Sequence, residues 1–246
     1  MRIAVLSDIH SNLQAMEAVL AAIDEAGVEE IWCLGDLVGY GADPDACTAL
    51  ARERCDTCLV GNHDLAVLGA LNISTFSDTA AAAVEWTREN VNEETLEFLG
   101  SLDPSGSREG VGLFHASPRD PVWEYVLSSD QADAGLDVLE ERIGLIGHSH
   151  IALFFMRPES GRRGYAQGAQ AADGAEIELA DGKWLLNPGS VGQPRDSDPR
   201  AAWLELDTEN WTARYHRVAY DIEGAAAAIL AAGLPSVLAE RLEVGR

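Results

Sequence analysis

Apolar runs of strand length recur through the first 150 residues, and each ends abruptly in side chains that bind metals or protons. RIAVL (2–6) leads to Asp8 and His10, EIWCL (30–34) to Asp36, and TCLV (57–60) to Asn62, His63 and Asp64. GVGLF (110–114) leads to His115, and GLIG (144–147) to His148 and His150. Between these runs lie stretches with apolar residues at helical spacing: NLQAMEAVLAAIDEAG (12–27), stopped by Gly27, then PDACTALARER (44–54), DTAAAAVEWTREN (78–90), EETLEFLGSL (93–102) and DAGLDVLEER (133–142). Alternation of strand and helix points to an α/β fold, and strand ends are where such sheets place their sites.

The texture changes after Gly147. IALFFM (151–156), KWLLN (183–187), AAWLELD (201–207) and WTARYHRV (211–218) read as successive strands of an antiparallel meander. RPESGRRGYAQGAQAADGA (157–175) reads as an exposed hairpin or a mobile loop, and DIEGAAAAILAAGLPSVLAERL (221–242) as two helices broken at Gly233–Pro235. No linker separates two cores. The expected architecture is one domain, 1–246, with two packed mixed β-sheets flanked by helices. The site motifs fall in 8–150, and the second-sheet strands and C-terminal helices in 151–246.

The net charge is −24, from 41 acidic and 17 basic residues. Such a surface repels polyanions, which argues against long nucleic acids and anionic membranes as partners. No apolar run approaches the roughly 20 residues of a membrane span, and the opening MRIAVLSDIHSN is too short in its apolar part for a signal peptide. A cytoplasmic location is expected. Cys55 and Cys58 form C-x-x-C, but the pair leads into a strand rather than a helix, and no second pair completes a zinc site. Buried or spare thiols are the better reading. The stretch ALFFM is a candidate edge strand through which two chains could pair as a homodimer.

Any one of these strand-end residues has a bland explanation as a turn, a cap or a hydrogen-bonded core residue. Five strand ends carrying only Asp, Asn and His have no shared structural explanation, and five of the six histidines fall among them. Together they read as one metal site built from oxygen and nitrogen ligands. A set of Asp, Asn and His without thiolate suits divalent ions such as Mn, Fe, Co, Ni or Zn.

The order D-x-H, G-D-x-x-x-x-G, G-N-H-D, a later single His and G-H-x-H resembles the calcineurin-like metallophosphoesterase superfamily. NPGSVGQPRD (187–196) is similar to a loop of its small bacterial and archaeal phosphodiesterase branch. The resemblance implies an αββα sandwich and a dinuclear centre. Asp8, His10, Asp36 and His150 would hold one ion; Asp36, Asn62, His115 and His148 the other, with the Asp36 carboxylate shared. It further implies hydrolysis of a small phosphoester, with His63 acting on the leaving oxygen. Asp64 would orient His63, or cap the helix that follows, or both. Asn12, Tyr40, Arg119 and Arg195 are candidate substrate-binding residues, although Arg195 could equally pin its loop. The turn GDLVGYG and the Val60 before GNHD lack the arginines of the protein-phosphatase branch. A phosphodiesterase is the leading reading, ahead of a phosphomonoesterase or a dinucleoside-polyphosphate hydrolase. A non-catalytic scaffold is disfavoured because every ligand position and His63 are intact.

Overall fold

The computed structural model describes residues 1–159 and 165–246. In chain order the elements are β1 (Arg2–Leu6), α1 (Leu13–Ala26), β2 (Glu30–Cys33), α2 (Pro44–Arg54), β3 (Thr57–Cys58), α3 (Asn62–Val67), α4 (Asp78–Asn90) and α5 (Glu93–Gly100). Next come β4 (Ser105–Arg108), β5 (Val111–Phe114), α6 (Ser129–Val138), β6 (Ile143–Leu145), β7 (Ala152–Arg157), β8 (Gln167–Gln170), β9 (Glu176–Glu178) and β10 (Lys183–Pro188). The chain closes with β11 (Ala201–Asp207), β12 (Thr212–Val218), α7 (Ile222–Ala231) and α8 (Ser236–Val244).

Local chemistry sets many of these boundaries. Asn12 accepts from the Ala15 N–H to start α1, and Gly27, at φ 65°, closes it with an N–H to Ile23 O. Pro44 opens α2 at a position where a missing N–H costs nothing. Ser77, Asn92, Ser128 and Asp221 cap α4, α5, α6 and α7 in the same way as Asn12.

Two six-stranded mixed sheets form the centre. The first runs β3-β2-β1-β11-β12-β9 and the second β4-β5-β6-β10-β7-β8. β1, β2 and β3 are parallel, as are β5, β6 and β10; the outer strands are antiparallel. Alternation decides what each face covers. In β1, Ile3 and Val5 pack between the sheets with Leu113, Leu145, Leu186 and Leu204, while Ala4 and Leu6 face Met16, Val19 and Ile23 of α1. On the far side, Leu136 of α6 packs against Phe155 and Leu185 of the second sheet.

The expected two-sheet architecture is present, but its partition differs. Residues 151–218 do not form one meander: β7 and β10 join the second sheet, whereas β11, β12 and β9 complete the first. Conversely β4, β5 and β6, from the first half, build the second sheet. Both sheets thus need strands from both halves of the chain. The stretch ALFFM is not an edge, because β7 is paired on one side with β10 and on the other with β8. β8 follows β7 as its antiparallel neighbour, and residues 160–164, within the stretch read as a hairpin or loop, lie outside the described residues. No helix among the described residues is long and apolar enough to cross a membrane.

A buried polar link joins the sheets directly. Tyr215 on β12 is buried and its hydroxyl donates to Leu153 O of β7 at 2.8 Å. Tyr215→Phe leaves that buried carbonyl with one acceptor site unmet and should cost about 1–2 kcal/mol. Urea unfolding reads this directly; an unchanged midpoint would show that the bond adds nothing net.

Candidate dinuclear metal centre

The loops that follow β1 and β2 are zipped to each other through the backbone. Asp8 N donates to Gly35 O, His10 N to Asp36 O, and Ser11 N to Leu37 O, at 2.9–3.0 Å. The turn after β6 joins them through Gly147 N to His115 O and His148 N to Asp8 Oδ2. The NPGSVGQPRD loop then clamps both. Val191 N and Gly192 N reach Ser7 O and Asp8 O, Ser190 Oγ donates to Asp8 O, and Asn187 Nδ2 donates to Gly147 O.

This tight weave demands unusual backbone. Asp8, His10, Asp36, His148 and His150 all have φ between 51° and 64°, as do Ser11 and Tyr40. The left-handed region costs a non-glycine residue about 1–3 kcal/mol, and such residues collect at functional sites. Glycines take the places where no side chain fits. A Cβ on Gly61 would sit 2.0 Å from Asp36 Oδ1, and one on Gly39 would sit 2.6 Å from His63 Nδ1.

The seven expected ligand residues come together in two buried groups. In one, ligand atoms of Asp8, His10, Asp36 and His150 lie within 4.8 Å of one another; in the other, those of Asp36, His115 and His148 do so. Asn62 joins the second group, its Oδ1 3.1 Å from His115 Nε2. Each carboxylate is split between two tasks. Asp36 Oδ1 accepts from His63 N, leaving Oδ2 3.5 Å from His10 Nε2 and 3.6 Å from His115 Nε2. Asp8 Oδ2 accepts from His148 N, leaving Oδ1 3.3 Å from His150 Nε2. Asp8 Oδ1, Asp36 Oδ2 and His148 Nε2 are buried with no hydrogen-bond partner.

The imidazoles show what these atoms await. Nδ1 of His10, His115 and His150 faces the backbone carbonyl of Val38, Leu34 and Gln193 respectively. A carbonyl only accepts, so each Nδ1 carries the proton and each Nε2 presents a lone pair. Yet His10 Nε2 and His150 Nε2 face each other at 3.0 Å, and His115 Nε2 faces an amide oxygen. Lone pairs aimed at lone pairs, with carboxylate oxygens beside them, fit a shared cation and little else. These carbonyls orient the rings as metal-binding histidines require.

Electrostatics agree. Burial pushes Asp8 up to about 7, against the pull of His115, and lifts Asp36 well above the carboxylate range, with Asp64 adding to it. Burial also holds His10, His63, His148 and His150 well below the ordinary imidazole value, helped by neighbouring imidazoles and the Arg195 charge. The site is built from neutral rings and carboxylates that lack a counter-charge.

His63 is buried next to the two groups, its ring 4.3 Å from Tyr40, 4.9 Å from His10 and 5.1 Å from Phe76, with Nδ1 unpartnered. Asp64 does not hold it. The Asp64 oxygens accept from the N–H groups of Val38 and Gly61 instead, closing α3 at its start and tying it to the Asp36 loop. Its helix-capping role is therefore the one seen. Asn12 is committed likewise, capping α1 through Oδ1 and donating through Nδ2 to Gly192 O. Tyr40 lies against His10 and His63, and Arg195 lies over Tyr40 at 5.6 Å. Arg119 is not brought in: it is half-exposed, 3.5 Å from Glu124. Sequence reasoning missed the aromatic rim. Tyr125 stacks on His148 at 4.1 Å, and Trp123 meets Phe76 edge-on at 5.2 Å. The run PVWEY just after HASPRD was the available clue.

Two packed mixed sheets with these groups at the strand ends define a metallophosphoesterase-type protein. Residues 1–209 match the profile of the calcineurin-like phosphoesterase superfamily domain, and the chain belongs to that family. It is 40% identical over 249 residues to an uncharacterized protein of Methanocaldococcus jannaschii, covering 99% of this chain and 98% of the relative. The crystal structure of a metallophosphoesterase from Sphaerobacter thermophilus is similar at a TM-score of 0.89 and 36% identity, over 100% of this chain and 99% of that one. A hypothetical protein from Pyrococcus horikoshii OT3 shares the fold at a TM-score of 0.77 and 19% identity, over 100% and 98%.

The opposing shifts set a pH test. Histidines held below 6.5 withdraw stability as pH falls through that value, because only the unfolded chain takes up protons there. Raised carboxyls do the reverse: the unfolded Asp8 ionises at about 4 while the folded one keeps its proton up to about 7, so its contribution is lost as pH rises between those values and is flat above them. An ion that meets the carboxylates must displace that proton, so the rise in melting temperature on adding Mn should grow from about pH 5 to about pH 7 and then level off. A gain from Mn that is the same across that range would mean the carboxylates do not meet a cation.

Proposed function

We propose that this chain is a dinuclear metal-dependent phosphoesterase acting on small phosphodiesters. The observation that carries the reading is Asp36 Oδ2, buried, unpartnered and equidistant within 0.1 Å from imidazoles of both groups. Asp8, His10, Asp36 and His150 would hold one ion, and Asp36, Asn62, His115 and His148 the other. A bound pair of divalent ions would supply an activated water and neutralise charge on the phosphoryl oxygens. Mn, Fe, Co, Ni and Zn all suit the donor set.

The remaining steps belong to the side chains. His63 stands beside the groups rather than in them, with Nδ1 uncommitted. A phosphate oxygen entering against it raises its proton affinity, and the ring then hands a proton to the leaving oxygen. Gly39 leaves the space that this ring occupies. Arg195 places positive charge over Tyr40 for the non-bridging oxygens. Tyr125 stacks on His148 at 4.1 Å and Trp123 meets it edge-on at 6.5 Å, so an aromatic rim borders the site on that side.

His63→Ala should keep the full metal complement by elemental analysis yet lose about 10²–10⁴ in turnover of an aryl phosphodiester with Mn. Wild-type turnover would remove His63 from the chemistry. Asp36→Asn should lower occupancy of both ions together; loss of one alone would show that the carboxylate is not shared.

A further inference from the structure

Two arginines approach the ring of Tyr40 from distant parts of the chain. Arg195 lies in the clamp loop, its Cζ 5.6 Å from the ring centroid, and Arg241 in the last turn of α8, its Cζ 6.0 Å away. Tyr40 is itself in ring contact with the metal-site His10 at 4.6 Å and with His63 at 4.3 Å. The two charges thus stand one aromatic ring away from the candidate reaction centre. Their positions are fixed by the backbone: Arg195 N donates to His150 O, and Ser197 N donates to Gly245 O at the end of α8.

In a chain with 41 acidic residues, neither guanidinium is paired with an Asp or Glu among the described residues. Arg195 Nη2 donates to Gln193 Oε1 at 3.0 Å and its Nε is buried without a partner. Arg241 spends only Nε, on Arg246 O, leaving both terminal nitrogens uncommitted. A helix C-terminus attracts an arginine on its own account, which explains that one bond. It does not explain a second guanidinium beside the first, nor the buried orphan Nε. Burial and the charge of Arg195 both depress the Arg241 pKa, as expected of like charges held together without an anion.

We infer that Arg195 and Arg241 form a second anion subsite beside the metal centre, and that the substrate is a phosphate ester carrying a further phosphoryl group on its non-reacting side. Paired guanidiniums suit the bidentate geometry of a phosphate dianion. The subsite rests on the phosphoesterase reading for its role in turnover, but its anion preference does not.

Two measurements separate the claims. In calorimetry on the metal-free protein, inorganic pyrophosphate should bind, and Arg241→Gln should weaken it about tenfold or more, the loss of one charge-assisted hydrogen bond. Arg241→Lys should recover part of that loss, which separates charge from misfolding. Wild-type protein that does not bind pyrophosphate, or an Arg241→Gln protein that binds it as wild type does, overturns the subsite. In kinetics with Mn, Arg241→Gln should raise KM for an aryl ester of pyrophosphate about tenfold more than KM for a bis-aryl phosphodiester, with kcat tracking in parallel. Equal KM changes for the two esters also overturn it. Wild-type protein that binds pyrophosphate through Arg241 yet turns over neither ester sinks the phosphoesterase reading and leaves the subsite standing.

Discussion

Everything in the centre of this molecule turns on how a single carboxylate, that of Asp36, is divided. One oxygen accepts the His63 N–H and so anchors the start of α3. The other is buried, unpartnered and aimed between His10 and His115. A buried carboxylate in this state is costly unless it is protonated or meets a cation. Protonation would serve a lone Asp36. It does not serve the lone pairs of His10 and His150 that face each other at 3.0 Å. Only a positive centre answers both demands at once, which is why the fit to metal ions follows from the donor set rather than from family membership alone.

The fold delivers this geometry by making the site loops hold one another. Three parallel strands in each sheet end at the same side, and the segments beyond them trade backbone hydrogen bonds instead of relying on side chains for shape. Seven of the ten described non-glycine residues with positive φ lie in those segments. That strain is held by the two hydrophobic layers beneath it, in which Val5, Leu34, Leu113 and Leu145 lock the strand ends. Asp64 and Asn187 belong to the same system: both spend their polar atoms on loop backbone, close to the ligands but not among them.

This division explains which features were legible in the sequence. Helices α1, α2, α4 and α5 were readable because their caps and apolar spacing are local, and the strand-end Asp, Asn and His residues because they repeat one chemical theme, while their division into seven candidate ligands came from the family resemblance. The partition of strands between sheets was not, since β11 joins β1 only through pairing across 200 residues. β4 is SGSR, polar and at a sheet edge, so no periodicity marks it. α3 went unread because its first residues, Asn62, His63 and Asp64, carry the site's chemistry and hide its helical pattern. Tyr125 and Arg241 illustrate a further limit: a loop aromatic and a helix-end arginine look like ordinary surface until the chain folds them against His148 and Tyr40.

A net charge of −24 stands at odds with the proposed site for anionic esters, and the resolution lies in distance. Exposed charges act over about 8 Å at physiological ionic strength, so the acidic surface governs encounter and solubility more than it governs the buried centre. Inside, the field is set by what is within reach: neutral imidazoles, two carboxylates that divalent ions would over-compensate, and the guanidinium of Arg195 acting on all of them. Under the proposed phosphoesterase reading, a surface that repels polyanions around a centre that takes compact phosphate groups would favour small esters over nucleic acids. The same acidic composition that argues against a long polyanion therefore sharpens, rather than weakens, the case for a small one.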